Sequence, residues 1–266
     1  MRFMLIVKSD TKTEAGEPLN DELVAALDKY NDELVTAGAF LSAEGLQPSA
    51  KGARLKLVDD QRILTRGPFG NPEKLVAGYW IINADSNDDV IAWAKRAPFE
   101  TSQIEIRQVF EPWDQAGSEE ESEADGSVPS PANGGGTSLK RFFCISNPSA
   151  ESEAGIPPSP EMIAAMNDYI GQMAASGAFL GGDGLMPSAL GARVTFSGKN
   201  RTVTDGPFIE TTELIGGFAL IQAKSLDEVI DSSWEFLNVG NRTPGEERAC
   251  EIREIFDFPT ERPESR

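Results

Sequence analysis

The feature that most constrains this chain of 266 residues is an internal repeat. Gly38-Ala39-Phe40-Leu41 returns as Gly177-Ala178-Phe179-Leu180, an offset of 139. The same offset carries Gly45-Leu46, Pro48-Ser49-Ala50, Gly52-Ala53-Arg54 and Gly67-Pro68-Phe69 onto Gly184-Leu185, Pro187-Ser188-Ala189, Gly191-Ala192-Arg193 and Gly206-Pro207-Phe208. Arg2-Phe3 matches Arg141-Phe142, and Tyr30 matches Tyr169. Near the end of each copy Glu105-Ile106-Arg107 matches Glu251-Ile252-Arg253 at an offset of 146, so the second copy carries about seven extra residues around Asn241 to Glu247. A unit of roughly 110 residues, an ordinary domain size, has been duplicated in tandem.

Between the copies, Asp114 to Ser138 holds six acids, no basic residue and the triplet Gly134-Gly135-Gly136, a composition that buries no core. The chain is therefore divided into a first copy at 1–113, an acidic flexible linker at 114–138, a second copy at 139–259 and a tail at 260–266. A flexible chain of this length reaches roughly 25–30 Å on average, about one domain diameter, so the copies are expected to pack on each other within the chain.

Charge and composition narrow the functions. Lys and Arg number 24 against 43 Asp and Glu, a formal charge of −19 that repels nucleic acid and anionic membranes, and neither is expected as a partner. There is no His, which removes the commonest general base and metal ligand. Two cysteines, Cys144 and Cys250, make no disulfide framework or Cys-x-x-Cys site, which suits a reducing compartment. The opening MRFMLIVKSD is too short in apolar residues for a membrane span or a signal-peptide core. A first strand and a cytoplasmic protein are expected. No phosphate loop, dinucleotide fingerprint or metal-ligand cluster occurs, so no cofactor and no metal are expected.

Each copy reads as strand, helix, strands, helix, strand. Ser159-Pro160-Glu161 supplies an N-cap, a proline at N1 and an early acid for a helix with Met162, Ala165, Met166, Tyr169 and Met173 on one core-facing stripe. Gly177, like Gly38, falls where a glycine ends the helix. Ser225-Leu226-Asp227-Glu228 is a capping box, matched by Ser86-Asn87-Asp88-Asp89. Ala192 to Phe196 and Arg201 to Thr204 form a hairpin around Ser197 to Asn200. The pattern predicts a ferredoxin-like α+β sandwich for each copy, helices on one sheet face. The sister copy would cover the other face and make an intrachain pseudo-dimer, with a pocket between the sheets for a small-molecule ligand. An unpaired sheet edge would allow whole chains to associate further.

Several motifs point to one family. They are Glu44-Gly45-Leu46-Gln47-Pro48 with Asp183-Gly184-Leu185-Met186-Pro187, the run Asp205-Gly206-Pro207-Phe208 continuing to Glu210 and Thr211, the strand start Gly216-Gly217-Phe218, and the closing Glu-Ile-Arg. In these the chain resembles the YCII-related family, in its DGPF-domain branch, over both copies almost end to end. The resemblance implies a ferredoxin-like fold of the dimeric α+β barrel type. Its relatives include small isomerase-like and dehydrochlorinase-like enzymes, and many members without an established activity. The chain departs from the family pattern in the first copy, with Arg66 for Asp205 and Asn71 for Glu210. Several relatives use a His-Asp pair, and many have His after the EGL triplet; here those slots hold Gln47 and Met186, which excludes a His-dependent mechanism.

The candidate site has two readings at each residue. Asp205 either accepts hydrogen bonds from its own turn or acts as a base, and the first copy keeps Gly67-Pro68-Phe69 without that acid, which favours a site role. Glu210, five residues on, is a solvated loop acid or the partner of Asp205 in proton transfer. Arg193 and Arg253 pair structurally with acids or bind an anionic substrate oxygen bidentately, and Asp183 is a further pocket-facing acid. Tyr30 and Tyr169 read as core residues with a polar tip, and Cys144 and Cys250 as neighbouring buried thiols. Two functions remain. One is a cofactor-free acid/base enzyme, an isomerase, dehydratase or other lyase acting on a small cyclic or aromatic substrate. The other is a non-catalytic ligand-binding or interaction module of the same fold.

Overall fold

A computed structural model describes residues 1–111, 139–208, 214–240 and 245–256. The linker, Glu210 and the tail lie outside the described residues. The first copy runs β1 (Arg2–Lys8), α1 (Thr11–Glu14), α2 (Asp21–Thr36), β2 (Phe40–Gly45), β3 (Ala53–Val58), β4 (Gln61–Arg66), β5 (Val76–Asn83), α3 (Asn87–Arg96) and β6 (Thr101–Gln108). The second repeats the order with β7 (Lys140–Ser146), α4 (Ala150–Glu153), α5 (Pro160–Ala175), β8 (Phe179–Gly184), β9 (Ala192–Ser197), β10 (Asn200–Asp205), β11 (Gly217–Ala223), α6 (Leu226–Leu237) and β12 (Glu247–Glu254).

The local signals act as expected. Ser159 Oγ accepts from the Met162 amide, and Ser86 and Ser225 cap α3 and α6 in the same way. Gly38 and Gly177 take φ of 70° and 75° just past their helices, a conformation that costs glycine nothing. The methionine stripe of α5 is only half-buried, whereas the equivalent helix α2 buries Tyr30 and Leu34. The one-turn helices α1 and α4 have no counterpart in the sequence-level reading.

The fold is α+β, with two six-stranded antiparallel sheets in the orders β10-β9-β6-β1-β5-β2 and β4-β3-β12-β7-β11-β8. The repeat in the sequence and the sheet in space are thus different units. The hairpin β3-β4 of the first copy leaves its own strands and pairs with β12 of the second, Leu55 opposite Cys250 and Ala53 opposite Ile252. In return β9-β10 pairs with β6, Val194 opposite Ile104. Alternation supplies the reason: Ala53, Leu55 and Leu57 are buried in the helix-side core of the second copy beside Ile252 and Val229, and Ala192, Val194 and Phe196 in that of the first.

The other faces of the sheets meet. Met4, Ile6, Tyr79 and Ile81 from one sheet pack against Phe143, Ile145, Phe218 and Leu220 from the other. The Tyr79 ring stacks on Phe143 with centroids 4.6 Å apart, and Phe143 on Phe218 at 5.5 Å. The middle of the intersheet space is therefore filled, and open space lies at one end. Two short bridges, Leu46 with Ile255 and Val109 with Leu185, stitch the end of each sheet's β2 or β8 side to the other sheet. Cys144 and Cys250 sit diagonally on β7 and β12, both buried and free. The Cys144 thiol is pushed well up by its hydrogen bond with Cys250 and by burial, which keeps it unreactive. No helix among the described residues is long and apolar enough to cross a membrane.

Hairpin exchange predicts how severed halves behave. Residues 1–113 and 139–266 produced as separate polypeptides are each expected to self-associate, because each leaves an apolar hairpin face without its sheet. Mixed, they are expected to form a one-to-one complex with the circular dichroism of the intact chain. Analytical ultracentrifugation checks this, and a stable, monodisperse monomer from either half alone would contradict the exchange.

Candidate functional site: an interdomain cleft beside two ion clusters

The motifs that reveal the repeat converge in space, twice. Glu105 and Arg107 stand two apart on β6, on the intersheet face. Glu105 is fully buried; Arg193 Nη2 reaches its Oε2 at 3.0 Å, Arg107 Nη1 its Oε1 at 3.3 Å, and Lys8 Nζ lies 3.7 Å away. Arg107 also donates to the Met186 carbonyl at 2.7 Å and faces Glu153 at 3.9 Å. The second cluster repeats the plan. Arg54 Nη2 meets Glu251 at 2.7 Å, Arg253 Nη1 meets Glu251 at 3.1 Å, and Arg253 Nη2 meets Glu14 at 3.0 Å and the Gln47 carbonyl at 2.7 Å.

The Gly-Pro-Phe turns hold these clusters from outside. A Cβ on Gly67 or Gly206 would stand 1.8 Å from the carbonyl oxygen of Ser49 or Ser188, so only glycine fits. The Phe69 amide then donates to Ser49 Oγ at 3.0 Å and the Phe208 amide to Ser188 Oγ at 3.1 Å. The backbone amides of those serines donate in turn to Glu14 at 2.8 Å and Glu153 at 2.7 Å. Each phenylalanine ring lies under an arginine of the cluster, Arg54 at 4.2 Å and Arg193 at 3.9 Å from the ring centroids.

Electrostatics follow from this geometry. Burial by itself would raise the Glu105 carboxyl, but Lys8, Arg107 and Arg193 outweigh it and hold the group below the usual carboxylate range. The unfolded chain then binds this proton more readily, so the stabilisation is complete above the ordinary carboxylate value and is lost as pH falls through the lower folded one. Asp183 differs. Burial raises its carboxyl, with Arg2 only partly offsetting the effect.

The sequence-predicted residues do not gather in one place. Arg193 belongs to the Glu105 cluster and Arg253 to the Glu251 cluster. Asp183 forms a separate clamp, taking Arg2 Nη1 at 2.9 Å while Arg2 Nε takes Glu111 at 2.9 Å. Its counterpart is the pair of Arg141 with Glu44. Asp205 is exposed at the end of β10, opposite Ala192. On that strand Arg201 lies over Phe196 and Val203 packs into the helix-side core, so Asp205 shares the helix-covered face. Thr204, next to it, stands opposite Arg193. Asp205 and Arg193 therefore lie on opposite faces of one sheet. In the first copy the equivalent Arg66 pairs with Asp227 at the start of α6. Glu210 lies outside the described residues.

Open space of about 640 Å³ lies over the intersheet face of the exchanged hairpin. Two cross-strand rows make its floor, Thr65-Arg54-Glu251-Ile145 and Ile63-Lys56-Ala249. Lys8 and Val76 of the first copy and Asn147, Glu153 and Ile215 of the second form walls, so both copies contribute. Sequence reasoning missed Glu14, Glu153 and Lys8. A signal for the glutamates was present, because Glu14-Ala15-Gly16 returns as Glu153-Ala154-Gly155 at the common offset of 139. Among the described residues no group of acids or cysteines is arranged to hold a metal ion.

Comparison with known proteins agrees with this duplicated plan. The family model described as the YCII-related domain matches residues 1–114 and again 141–258, and the chain belongs to that family. It is also similar to an uncharacterized protein of Rhizobium meliloti (strain 1021), 39% identical over 59 residues. That match covers 22% of this chain and 48% of the relative, so the chain spans about half the relative's length.

The Glu105 cluster yields a test. Glu105→Gln leaves two arginines and a lysine without their shared counter-charge and is expected to cost about 3–5 kcal/mol at neutral pH in urea denaturation. It is also expected to flatten the loss of stability expected of the parent protein as pH falls below the ordinary carboxylate value of 4.5.

Proposed function

We propose that this YCII-related protein binds a small organic molecule in the cleft over β4-β3-β12-β7. The observation that carries the reading is the cleft itself. Its volume of about 640 Å³ falls within the range of roughly 300–1,000 Å³ usual for small-ligand sites. Its wall combines apolar surface from Val76, Ile145, Leu214 and Ile215 with charged groups of both signs, Lys8, Arg54 and Lys56 beside Glu153, Glu247 and Glu251. This mixture suits an apolar body, cyclic or aromatic, with a polar end. Arg54 on the cleft floor is already aligned by Glu251 and by the Phe69 ring beneath it, so a ligand meets a side chain whose rotamer is set before it arrives.

Acid/base catalysis by Asp205 and Glu210, as in an isomerase, dehydratase or other lyase, is a distinct reading. It places a reaction on the helix side of β10, and substitution separates it from binding in the cleft. Ala249 stands on the cleft floor, and Ala249→Phe is expected to weaken ligand binding at least about tenfold while the fold persists. Asp205→Asn is expected to leave that affinity within about twofold. Native mass spectrometry of the purified protein and ligand-observed NMR with small aromatic, lactone and keto-acid compounds provide the measurement. Binding that survives Ala249→Phe would remove the cleft from consideration. Turnover that falls by roughly 10²–10⁴ in Asp205→Asn would restore that acid as a base.

A further inference from the structure

We infer that the cleft ligand is a small carboxylate whose anionic end docks on Lys8, an inference that rests on the cleft reading above and names its ligand class. Lys8 ends β1 with its side chain 7% exposed, yet it lines the cleft. An ammonium carries three hydrogen-bond donors. Among the described residues no acceptor takes any of them: the nearest acid oxygen, Glu105 Oε2, stands 3.7 Å away and is itself held by Arg193 at 3.0 Å. The ammonium is balanced in charge by Glu105, but its hydrogen-bond donors border the open cleft, where an acceptor that enters can take them.

The duplication sharpens the point. The equivalent position in the second copy is Asn147, a neutral side chain whose Nδ2 donates to the Leu214 carbonyl at 3.2 Å. Lys8 is therefore an addition to one side of the pseudo-symmetric core. Among the described residues the Glu251 cluster pairs its two arginines with Glu251 and Glu14 and holds no lysine. Of the other charged groups lining the cleft, Arg54 is paired with Glu251 at 2.7 Å and Lys56 with Glu247 at 2.6 Å, which leaves Lys8 as the docking cation, while Val76, Ile145 and Ile215 provide an apolar wall. An oxyanion on the Lys8 ammonium makes a charge-assisted hydrogen bond to a side chain that is itself nearly buried. A carboxylate with an apolar body satisfies both parts of the wall.

The test compares phenylacetate with its neutral isostere phenylacetamide by titration calorimetry and NMR on the full chain. The parent protein is expected to prefer the acid by at least about tenfold, Lys8→Met to lose the preference, and Lys8→Arg to keep it. Equal binding of acid and amide, or a preference that survives in Lys8→Met, would overturn the carboxylate assignment; provided Ala249→Phe still blocks binding, the cleft reading itself stands. Binding of neither probe would overturn both. Because Lys8→Met also removes a counter-charge from Glu105, a second readout uses the unsubstituted protein. Phenylacetate is expected to shift the Lys8 side-chain ¹⁵N resonance saturably, and an unmoved resonance in the presence of bound phenylacetate overturns the inference.

Discussion

The Glu-x-Arg pairs on β6 and β12, fully buried on β6, are the constraint around which the rest of the molecule is arranged. A carboxylate with no solvent exposure, such as Glu105, persists as an ion only if cations reach it and satisfy both of its oxygens. Its own strand supplies Arg107, but Arg193 comes from the exchanged hairpin of the other copy, and the Gly206-Pro207-Phe208 turn that follows that hairpin sets a ring beneath Arg193. Hairpin exchange and ion cluster therefore support one another. Without the exchange Glu105 has no Arg193, and without the cluster the face of β9 that meets β6 carries an unpaired charge.

This interdependence also explains what the Gly-Pro-Phe motif does. Its glycine is dictated by the carbonyl of Ser49 or Ser188, its aromatic ring supports an arginine, and its backbone amide holds a buried serine hydroxyl. None of these roles involves the residue before the glycine. The first copy can thus carry Arg66 and the second Asp205 while both build the same cluster, and the Arg66 side chain serves a different contact, with Asp227 on α6.

Tandem duplication frees the two halves to differ. In a symmetric dimer a substitution appears on both sides at once, whereas here Lys8 faces the cleft opposite Asn147, and Lys56 corresponds in sequence to Thr195. The filled aromatic centre of Tyr79, Phe143 and Phe218 is shared by both halves and holds the sheets together. Asymmetry reaches the open end as well, where a change of side chain alters the cleft wall without disturbing that centre.

Much of this architecture was legible in the residues themselves. Local chemistry acts over a few positions, so Ser159, Ser225, Gly38 and Gly177 mark helix ends, and period-two alternation marks the hairpins. Exact repetition of short motifs showed the duplication and, with it, that one copy would cover the other. What only the tertiary structure decided is which copy each hairpin joins, because the alternating pattern of Leu55 and Leu57 fits either sheet equally well. That choice places Arg193 with Glu105 and Arg54 with Glu251, and it lays a first-copy hairpin on the floor of the cleft that Lys8 lines. Strand order is set by pairing between segments far apart in the chain, and no spacing along the sequence encodes it.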